Sequence, residues 1–253
     1  MQEVKIYSIK DGLIKADMLK QQGQFDAALE VYDLLIEKHE DCIPAYNNKA
    51  LIYERIGEYE KALECYGKLL EYRPNVLIPL NNMAHLYMKM EDNEKAEETF
   101  RKVVENPECN EAYIYANFAN VLMKNGKYGE SIENLKKALE IEPSPAVYNN
   151  LAYTYELVDD YDSALENYNK GLEMDSNDAR LYNNKSWVLK RMGRFDESIE
   201  CQEKAIELDP SSHHYKNMAI IYKEMGDLDK AREFYNKAFE LDDSIESFEE
   251  IRN

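Results

Sequence analysis

The sequence predicts an all-α fold, a right-handed α-solenoid (superhelix) of about seven helix–turn–helix repeats with a capping helix at the C-terminal end. Three observations predict it. A small residue recurs every 33 to 35 residues, large apolar residues follow helical spacing around it, and glycine and proline mark the helix ends. The recurring small residues are Ala28, Ala62, Ala96, Ser131, Ala164, Ser198 and Ala231.

The stretch 43–76 shows one complete repeat. Two quartets of residues follow helical spacing, namely Tyr46, Ala50, Tyr53 and Ile56 in the first half and Tyr59, Ala62, Tyr66 and Leu69 in the second. Gly57 separates the halves as a helix stop, and Pro74 lies just beyond the second helix, where proline is common. Because one helix pair cannot bury its apolar face alone, successive repeats must stack.

This order of large, small, glycine, aromatic, alanine, aromatic, alanine and proline resembles the tetratricopeptide repeat family, whose period is 34 residues. The resemblance extends from residue 9 to about residue 243 and implies a stack of helix pairs. Four positions depart from the pattern. Glu91 and Asp159 replace the turn glycine, Gly171 replaces a packing alanine, and Gln202 replaces an aromatic residue. These departures affect single packing contacts and leave the predicted fold unchanged.

We expect one continuous domain, 1–253, because no linker-like or low-complexity segment interrupts the repeats. The repeats cover approximately residues 9–42, 43–76, 77–111, 112–144, 145–178, 179–211 and 212–243. Residues 244–253 are predicted to form a helix that caps the last repeat, or alternatively a docking segment for a second copy of the chain. Residues 1–8 precede the first repeat and are given no role.

Composition disfavours several classes of partner and location. Fifty acidic and 31 basic residues give a net charge of −19, which disfavours nucleic acid and anionic membranes as partners. The cysteines, Cys42, Cys65, Cys109 and Cys201, never form a Cys-x-x-Cys pair and are expected to be reduced thiols. No apolar signal core opens the chain, and no apolar run reaches the roughly 20 residues of a membrane span. We therefore expect a cytoplasmic protein.

The side of each first helix opposite its packed side forms what we name the first-helix stripe. Helical geometry, at 100° per residue, places four residues of each first helix in repeats two to seven on this side. They are Pro44, Asn48, Leu51, Arg55; Ile78, Asn82, His85, Lys89; Tyr113, Asn117, Asn120, Lys124; Ala146, Asn150, Tyr153, Leu157; Arg180, Asn184, Trp187, Arg191; and His213, Asn217, Ile220, Glu224. Five of these residues are basic and only Glu224 is acidic, so the stripe is positive within an acidic chain. This mixture is typical of protein-binding surfaces.

Asparagine occupies the same place of the stripe in six repeats, as Asn48, Asn82, Asn117, Asn150, Asn184 and Asn217. A side-chain amide both donates and accepts hydrogen bonds, so such a ladder suits the backbone of an extended peptide. The family resemblance implies the same, since similar ladders in other members hold peptide backbone. Alternatively, these residues bridge to the neighbouring helix or contact water.

Basic and aromatic residues complete the candidate peptide-binding set. Arg55, Lys89, Lys124 and Arg191 are expected to favour an acidic or carboxylate-bearing segment, or alternatively to provide solubility. Tyr113, Tyr153 and Trp187 are candidate anchors for side chains, or alternatively pack on the next repeat. Asn120 also belongs to the set. A subtype of the family that clamps a terminal carboxylate is not expected, because Ala116 and Asn184 stand where it needs a lysine and an arginine.

The sequence offers no candidate catalytic or metal site. The four histidines, His39, His85, His213 and His214, form no ligand cluster, and no phosphate-binding glycine loop is present. We expect no enzyme activity, no cofactor and no metal. The predicted function is an adaptor whose concave groove binds an extended segment of a partner protein. The alternative is a self-associating assembly unit, a homo-oligomer that uses its terminal repeats.

Overall fold

The computed structural model describes residues 8–74, 76–242 and 244, and every regular element within them is an α-helix. The fourteen helices of these residues are α1 (Ile9–Gln21), α2 (Phe25–Lys38), α3 (Ile43–Arg55), α4 (Tyr59–Tyr72), α5 (Leu77–Lys89), α6 (Asn93–Val104), α7 (Ala112–Lys124), α8 (Tyr128–Ile141), α9 (Pro145–Leu157), α10 (Tyr161–Met174), α11 (Ala179–Arg191), α12 (Phe195–Leu208), α13 (Ser212–Met225) and α14 (Leu228–Leu241). One helix pair falls in each predicted repeat. The predicted all-α fold is therefore confirmed.

The chain divides into two compact units, Met1–Asn110 and Glu111–Asn253, which we name unit 1 and unit 2. Unit 1 contains α1 to α6 and unit 2 contains α7 to α14. Within each unit a helix packs on the helices before and after it, and α9 also meets both α7 and α11. Each unit is thus a stack of helix hairpins. A single domain over 1–253 stays a prediction.

The recurring small residues lie where the two helices of a hairpin cross. All seven of them are completely buried, which lets the helix backbones approach. In two repeats the small residue is a serine whose hydroxyl needs a partner. Ser131 Oγ donates to the carbonyl of Ala119 at 2.9 Å, and Ser198 Oγ donates to the carbonyl of Ser186 at 2.7 Å. Serine therefore replaces alanine without leaving a buried donor unpaired.

The turn between the helices of a hairpin uses a left-handed residue. At Gly57 φ is +82°, the Gly57 N–H bonds to the carbonyl of Glu54 and the next N–H bonds to the carbonyl of Tyr53, which is a Schellman motif. Glu91 and Asp159 adopt φ of 60° and 58° with the same pair of backbone bonds. The turn is thus kept in both repeats that lack the glycine, at the cost of an unfavourable conformation.

The other two departures from the family pattern have local explanations. A Cβ on Gly171 would lie 3.1 Å from a methyl of Leu181, so alanine here would require the Leu181 side chain to shift. Gln202 is completely buried, and its amide nitrogen donates to the carbonyl of His214 at 3.0 Å. Its amide oxygen accepts from Ser186 Oγ at 2.7 Å. A polar pair here replaces an aromatic contact.

Some sequence predictions concern residues that the structure does not describe. Apart from Ser244, the predicted capping helix, 244–253, lies outside the described residues, as do residues 1–7. The capping role and self-association therefore stay predictions. All four cysteines are buried as free thiols. Among the described residues, no helix combines the length and the apolar character needed to cross a membrane.

Candidate functional site

In unit 1, stripe residues of α3 and α5 reach the surface. Leu51 and Ile78 are exposed large apolar side chains, Ile78 at 61% of its full accessible area. The predicted site residue Arg55 is also exposed, and its guanidinium carbon lies 5.2 Å from the ring centroid of Phe25. Arg55 therefore already makes a cation–π contact within the chain.

The two predicted asparagines of unit 1 are half-buried and hydrogen-bonded. Asn82 Nδ2 donates to the hydroxyl of Tyr66 at 3.2 Å and lies 3.5 Å from Asn47 Oδ1. Asn48 likewise hydrogen-bonds to the hydroxyl of Tyr32. Burial raises the pKa of both tyrosines, and the hydrogen bond from asparagine partly opposes this rise. Asn82 thus satisfies the buried hydroxyl of Tyr66, whereas the hydroxyl of Tyr32 also donates to Asp17 Oδ1 at 3.0 Å.

In unit 2, stripe asparagines bond to asparagines of the preceding repeat. Asn184 Nδ2 donates to Asn149 Oδ1 at 2.9 Å, and Asn217 Nδ2 donates to Asn183 Oδ1 at 2.7 Å. The acceptor is the residue just before the stripe asparagine of the preceding repeat. The doubled asparagines of the sequence therefore have two roles, because one member donates backward and the other accepts from the following repeat.

The fourth repeat breaks this pattern and compensates for it. Ala116 stands before Asn117, so no amide is available there to accept. Asn150 Nδ2 donates instead to Asn120 Oδ1, one helical turn further along α7, at 3.3 Å. This bond explains the extra stripe asparagine at Asn120.

The same backward bond changes the surroundings of a buried tyrosine in unit 2. Tyr168 in α10 occupies the place of Tyr66, and its ring is completely buried. The equivalent stripe residue, Asn184, points to Asn149, and the Tyr168 hydroxyl has no hydrogen-bond partner among the described residues. Burial, with a contribution from the charge of Glu156, raises the Tyr168 pKa strongly. A buried polar group without a partner is costly.

Three of the five bases of the stripe, Lys89, Arg180 and Arg191, are already paired with carboxylates. Lys89 Nζ lies 2.6 Å from Glu54 Oε1, and an Arg191 guanidinium nitrogen lies 3.3 Å from Asp159 Oδ1. Lys124 is exposed at the end of α7 and makes no ion pair within the described residues. Since these ion pairs are exposed, they are weak and can exchange for a ligand carboxylate. The predicted preference for an acidic segment stays a prediction.

One cavity lies between α7 and α9 and has a volume of about 350 Å³. We name it the Tyr113 cavity. Its lining includes Tyr113, Ala116, Asn117, Asn120, Val147 and Asn150. Tyr113 is 51% exposed, so its ring stands at the surface beside the cavity. Four predicted site residues therefore meet here.

A second cavity of about 380 Å³ lies between α9, α11 and α13. We name it the Trp187 cavity. Its lining includes Tyr153, Glu156, Leu157, Asn184, Trp187 and Asn217. The Trp187 ring carries the ammonium of Lys190 at 3.6 Å from its centroid. Four predicted site residues meet in this cavity as well, together with one acid.

Sequence reasoning missed two ionisable residues next to the stripe. Glu156 and Lys190 each precede the last stripe residue of their helix by one position, so a strict four-residue face excluded them. Glu156 lines the Trp187 cavity, and burial raises the pKa of its carboxyl. The Lys190 side chain is only 5% exposed and forms an ion pair of 2.7 Å with Glu224. A wider face, of about 100° or more, contains both positions.

Other cavities and side-chain clusters give less evidence of a binding site. A cavity of about 660 Å³ in unit 1 is lined by residues of the loops and helices around Pro74 and Pro107 and contains no stripe residue. Within the described residues, no three histidine, cysteine or acidic side chains come together as a metal site.

Comparison with known proteins identifies the repeats. Tetratricopeptide repeat profiles match residues 43–76, 79–107, 110–177, 144–211 and 177–244. The photosystem I assembly protein Ycf3 of Prochlorococcus marinus (strain MIT 9303) is 32% identical over 76 residues, which are 28% of this chain and 44% of that protein. The chain thus spans less than half the length of this curated relative.

Solved structures share the fold at low sequence identity. The C-terminal part of a tetratricopeptide repeat-containing protein from Cytophaga hutchinsonii superposes with a TM-score of 0.72 at 18% identity, covering 92% of this chain and 96% of that one. YrrB, described as a tetratricopeptide repeat protein with an unusual peptide-binding site, gives 0.57 at 22% identity, with 72% and 94% covered.

Proteins built from such repeats are typically scaffolds for protein interaction rather than enzymes. The matched profiles together cover residues 43–244 almost without a gap. On this evidence, the chain belongs to the tetratricopeptide repeat family.

Proposed function

We propose that unit 2 binds an extended segment of a partner protein along its first-helix stripe. Asparagine amides hold the backbone of the segment, and aromatic residues take its side chains. One observation carries the proposal, namely that helix α9 lines both the Tyr113 cavity and the Trp187 cavity. Two cavities beside one helix suit alternate side chains of an extended chain.

The asparagines retain the capacity that this role requires. Each amide has two N–H groups and an oxygen with two lone pairs. The bridging bonds of Asn150 and Asn184 each use one N–H, whereas Asn217 Nδ2 contacts two acceptors. The oxygen of Asn150 accepts no hydrogen bond from another described residue. It can accept the N–H of a bound backbone. A binding role for the stripe of unit 1, with Asn48 and Asn82, stays a prediction.

Aromatic exposure supports the proposed anchoring role. Tyr113 and Tyr153 are 51% and 41% exposed, and both stand beside a cavity. Exposed aromatic rings next to concave, partly apolar surfaces are frequent energetic centres of interfaces. We expect an affinity on the order of micromolar, since an unstructured segment loses conformational freedom when it binds.

The test uses peptides selected from a random-sequence display library on the wild-type protein. Dissociation constants are then measured by calorimetry for the wild type and for the double variant Asn120→Ala/Asn150→Ala. Because these two residues bond to each other, removing both leaves no buried amide without its partner. We expect at least about tenfold weaker binding, which is about 1.4 kcal/mol.

The matched control is the double variant Asn169→Ala/Asn236→Ala. Both of these asparagines are exposed on second helices, α10 and α14, outside the stripe. It should bind the selected peptides as the wild type does. Equal binding by all three proteins refutes the role of the stripe. A selected peptide in which single backbone amides are replaced by esters tests backbone recognition, and we expect weaker binding at the positions beside α9.

A further inference from the structure

We propose that the Trp187 cavity binds an arginine side chain of the partner segment, with the carboxylate of Glu156 as the acceptor for its guanidinium. The inference rests on the proposed function, because it assigns a residue type to one position of the bound segment. It concerns one cavity within unit 2, between α9, α11 and α13.

The carboxylate of Glu156 has no partner of its own. It is half-buried at the end of α9 and makes no hydrogen bond or ion pair with any described residue. Burial disfavours its charged form and raises its pKa, although the charge of Arg191 acts in the opposite direction. A half-buried carboxylate without a partner is destabilising, and a cation that binds to it removes this cost.

The basic residues near Glu156 are held by other carboxylates. Lys190 forms its ion pair of 2.7 Å with Glu224, and Arg191 forms its ion pair of 3.3 Å with Asp159. Each base thus forms its ion pair with another acid, and Glu156, although it feels the charge of Arg191, forms no ion pair with a described residue. The cavity accordingly favours a positively charged guest by charge complementarity.

The walls of the cavity favour a guanidinium over a compact ammonium. Tyr153, Leu157 and Trp187 supply aromatic and apolar surface next to the carboxylate. A guanidinium is planar, stacks on aromatic rings and bonds to a carboxylate with two parallel N–H groups, whereas an ammonium is a strongly hydrated point charge. Since Lys190 already occupies one face of the indole, the guest lies against the remaining surface of Trp187.

Glu156 is the charged acceptor among the residues that line the cavity, and two of the three amide oxygens there, those of Asn183 and Asn184, already accept hydrogen bonds. Asn183 Oδ1 already accepts from Asn217 and approaches His214 Nδ1 at 3.3 Å. Asn184 Oδ1 accepts from Asn183 Nδ2 at 3.2 Å. At about 380 Å³, the cavity is near the lower end of the 300–1,000 Å³ range of ligand sites, which suits one long side chain.

The experiment uses the tryptophan of the cavity as its reporter. Trp187 is the only tryptophan of the chain, so its indole N–H gives one resolved signal in a ¹H–¹⁵N spectrum. The probes are the capped peptide acetyl-Gly-Ser-Arg-Ser-Gly-amide and the same peptide with citrulline, a neutral analogue of arginine. We expect a saturable shift of the Trp187 signal, with the arginine peptide binding at least about tenfold more tightly.

A pair of variants separates the cavity from the general charge of the protein. Glu156→Gln should weaken binding of the arginine peptide at least about tenfold and remove the difference from citrulline. Glu173→Gln removes the same charge from an exposed position of α10 and should behave as the wild type. This control matters because a chain of net charge −19 attracts any cationic peptide.

Equal binding of the arginine and citrulline peptides by the wild type overturns the inference, and this comparison needs no variant. Equal weakening by the two glutamine variants overturns it as well. The outcome is distinct from that of the proposed function, whose test removes Asn120 and Asn150 in the other cavity. A negative outcome in one of the two tests therefore does not decide the outcome of the other.

Discussion

The turn between α5 and α6 leads to a quantitative prediction about stability. Glu91 stands there at φ 60°, a left-handed conformation that five other turns of the described chain fill with glycine at φ 73° to 86°. We expect Glu91→Gly to stabilise the protein. The backbone bonds of the turn remain, because the N–H groups of Glu91 and Asp92 donate to the carbonyls of Met88 and Tyr87 in either case.

The magnitude follows from two opposing contributions. A left-handed conformation costs a residue with a Cβ about 1–2 kcal/mol. Glycine also has greater conformational freedom in the unfolded chain, which reduces the stabilisation by about 0.4–1 kcal/mol. The side chain of Glu91 is exposed and has no hydrogen bond or ion pair among the described residues, so no contact is lost. The net stabilisation is therefore about 0.5–1 kcal/mol.

The assay is urea and thermal unfolding followed by circular dichroism. For a chain of this size, a gain of 1 kcal/mol raises the melting temperature by about 2–4 °C. Gly57→Ala is the reciprocal control, because a Cβ at Gly57 meets no atom within 4 Å and the same two conformational contributions give a net cost of about 0.5–1 kcal/mol. If Glu91→Gly lowers the melting temperature while Gly57→Ala leaves it unchanged, the reasoning about these turns is wrong.

Asp159 provides an internal comparison for the same argument. It has the same left-handed turn, but it also accepts hydrogen bonds from Arg191 at 3.3 Å and from the hydroxyl of Tyr161 at 2.5 Å. Asp159→Gly loses these contacts, so we expect a smaller gain than for Glu91→Gly. The difference between the two variants measures the stabilising contribution of the Asp159 side chain.

Three further predictions follow from the packing and the buried groups. Gly67→Ala should stabilise the protein by about 0.8–1 kcal/mol in urea unfolding, whereas Gly171→Ala should give no gain, because only the second Cβ meets close atoms. Glu156→Gln should be more stable than the wild type at neutral pH, since burial outweighs the attraction of Arg191 in raising the Glu156 pKa. This advantage should shrink as the pH falls through that raised pKa, and pH-dependent urea titration checks it. Burial raises the Cys65 pKa to about 11, so its alkylation by iodoacetamide at pH 8 should be at least about 100-fold slower in the native than in the unfolded protein, measured by peptide mass spectrometry.

The fold was predictable because its signals are local and repeated. The small residue at Ala62 and the glycine at Gly57 recur in register, and each repetition confirms the previous one. Even the departures were visible in the sequence. Glu91 was identified as an occupant of the glycine position, and the structure places it in the glycine conformation. The sequence did not explain why glycine stands at position 171. The explanation is the short distance to Leu181 in the next repeat, which only the structure shows.

The candidate site was only partly predictable. A face counted at 100° per residue found Trp187 and Tyr153 but excluded Glu156, which lies one position aside and lines the same cavity. The number of charged residues also does not show which bases are already ion-paired. In the structure Lys89 and Arg191 are paired, which depends on side-chain geometry and not on composition.

The doubled asparagines show why two interpretations of one pattern need not exclude each other. The sequence offered either a bridge between repeats or a contact with the ligand. The structure contains the bridge, for example from Asn184 to Asn149 at 2.9 Å. A bridge of this kind fixes the orientation of the amide, and a fixed amide loses less freedom when it binds a peptide.

Compensation at the fourth repeat indicates that the bridge itself matters to this chain. Ala116 removes the usual acceptor, and Asn120 supplies another one at 3.3 Å from Asn150. If asparagine were kept only to touch a ligand, a new acceptor inside the stack would serve no purpose. If it were kept only as a bridge, the bond could lie anywhere along the helices. It lies instead in the lining of the Tyr113 cavity, beside an exposed tyrosine. The bridge therefore orients Asn150 at the place where a peptide backbone is proposed to pass.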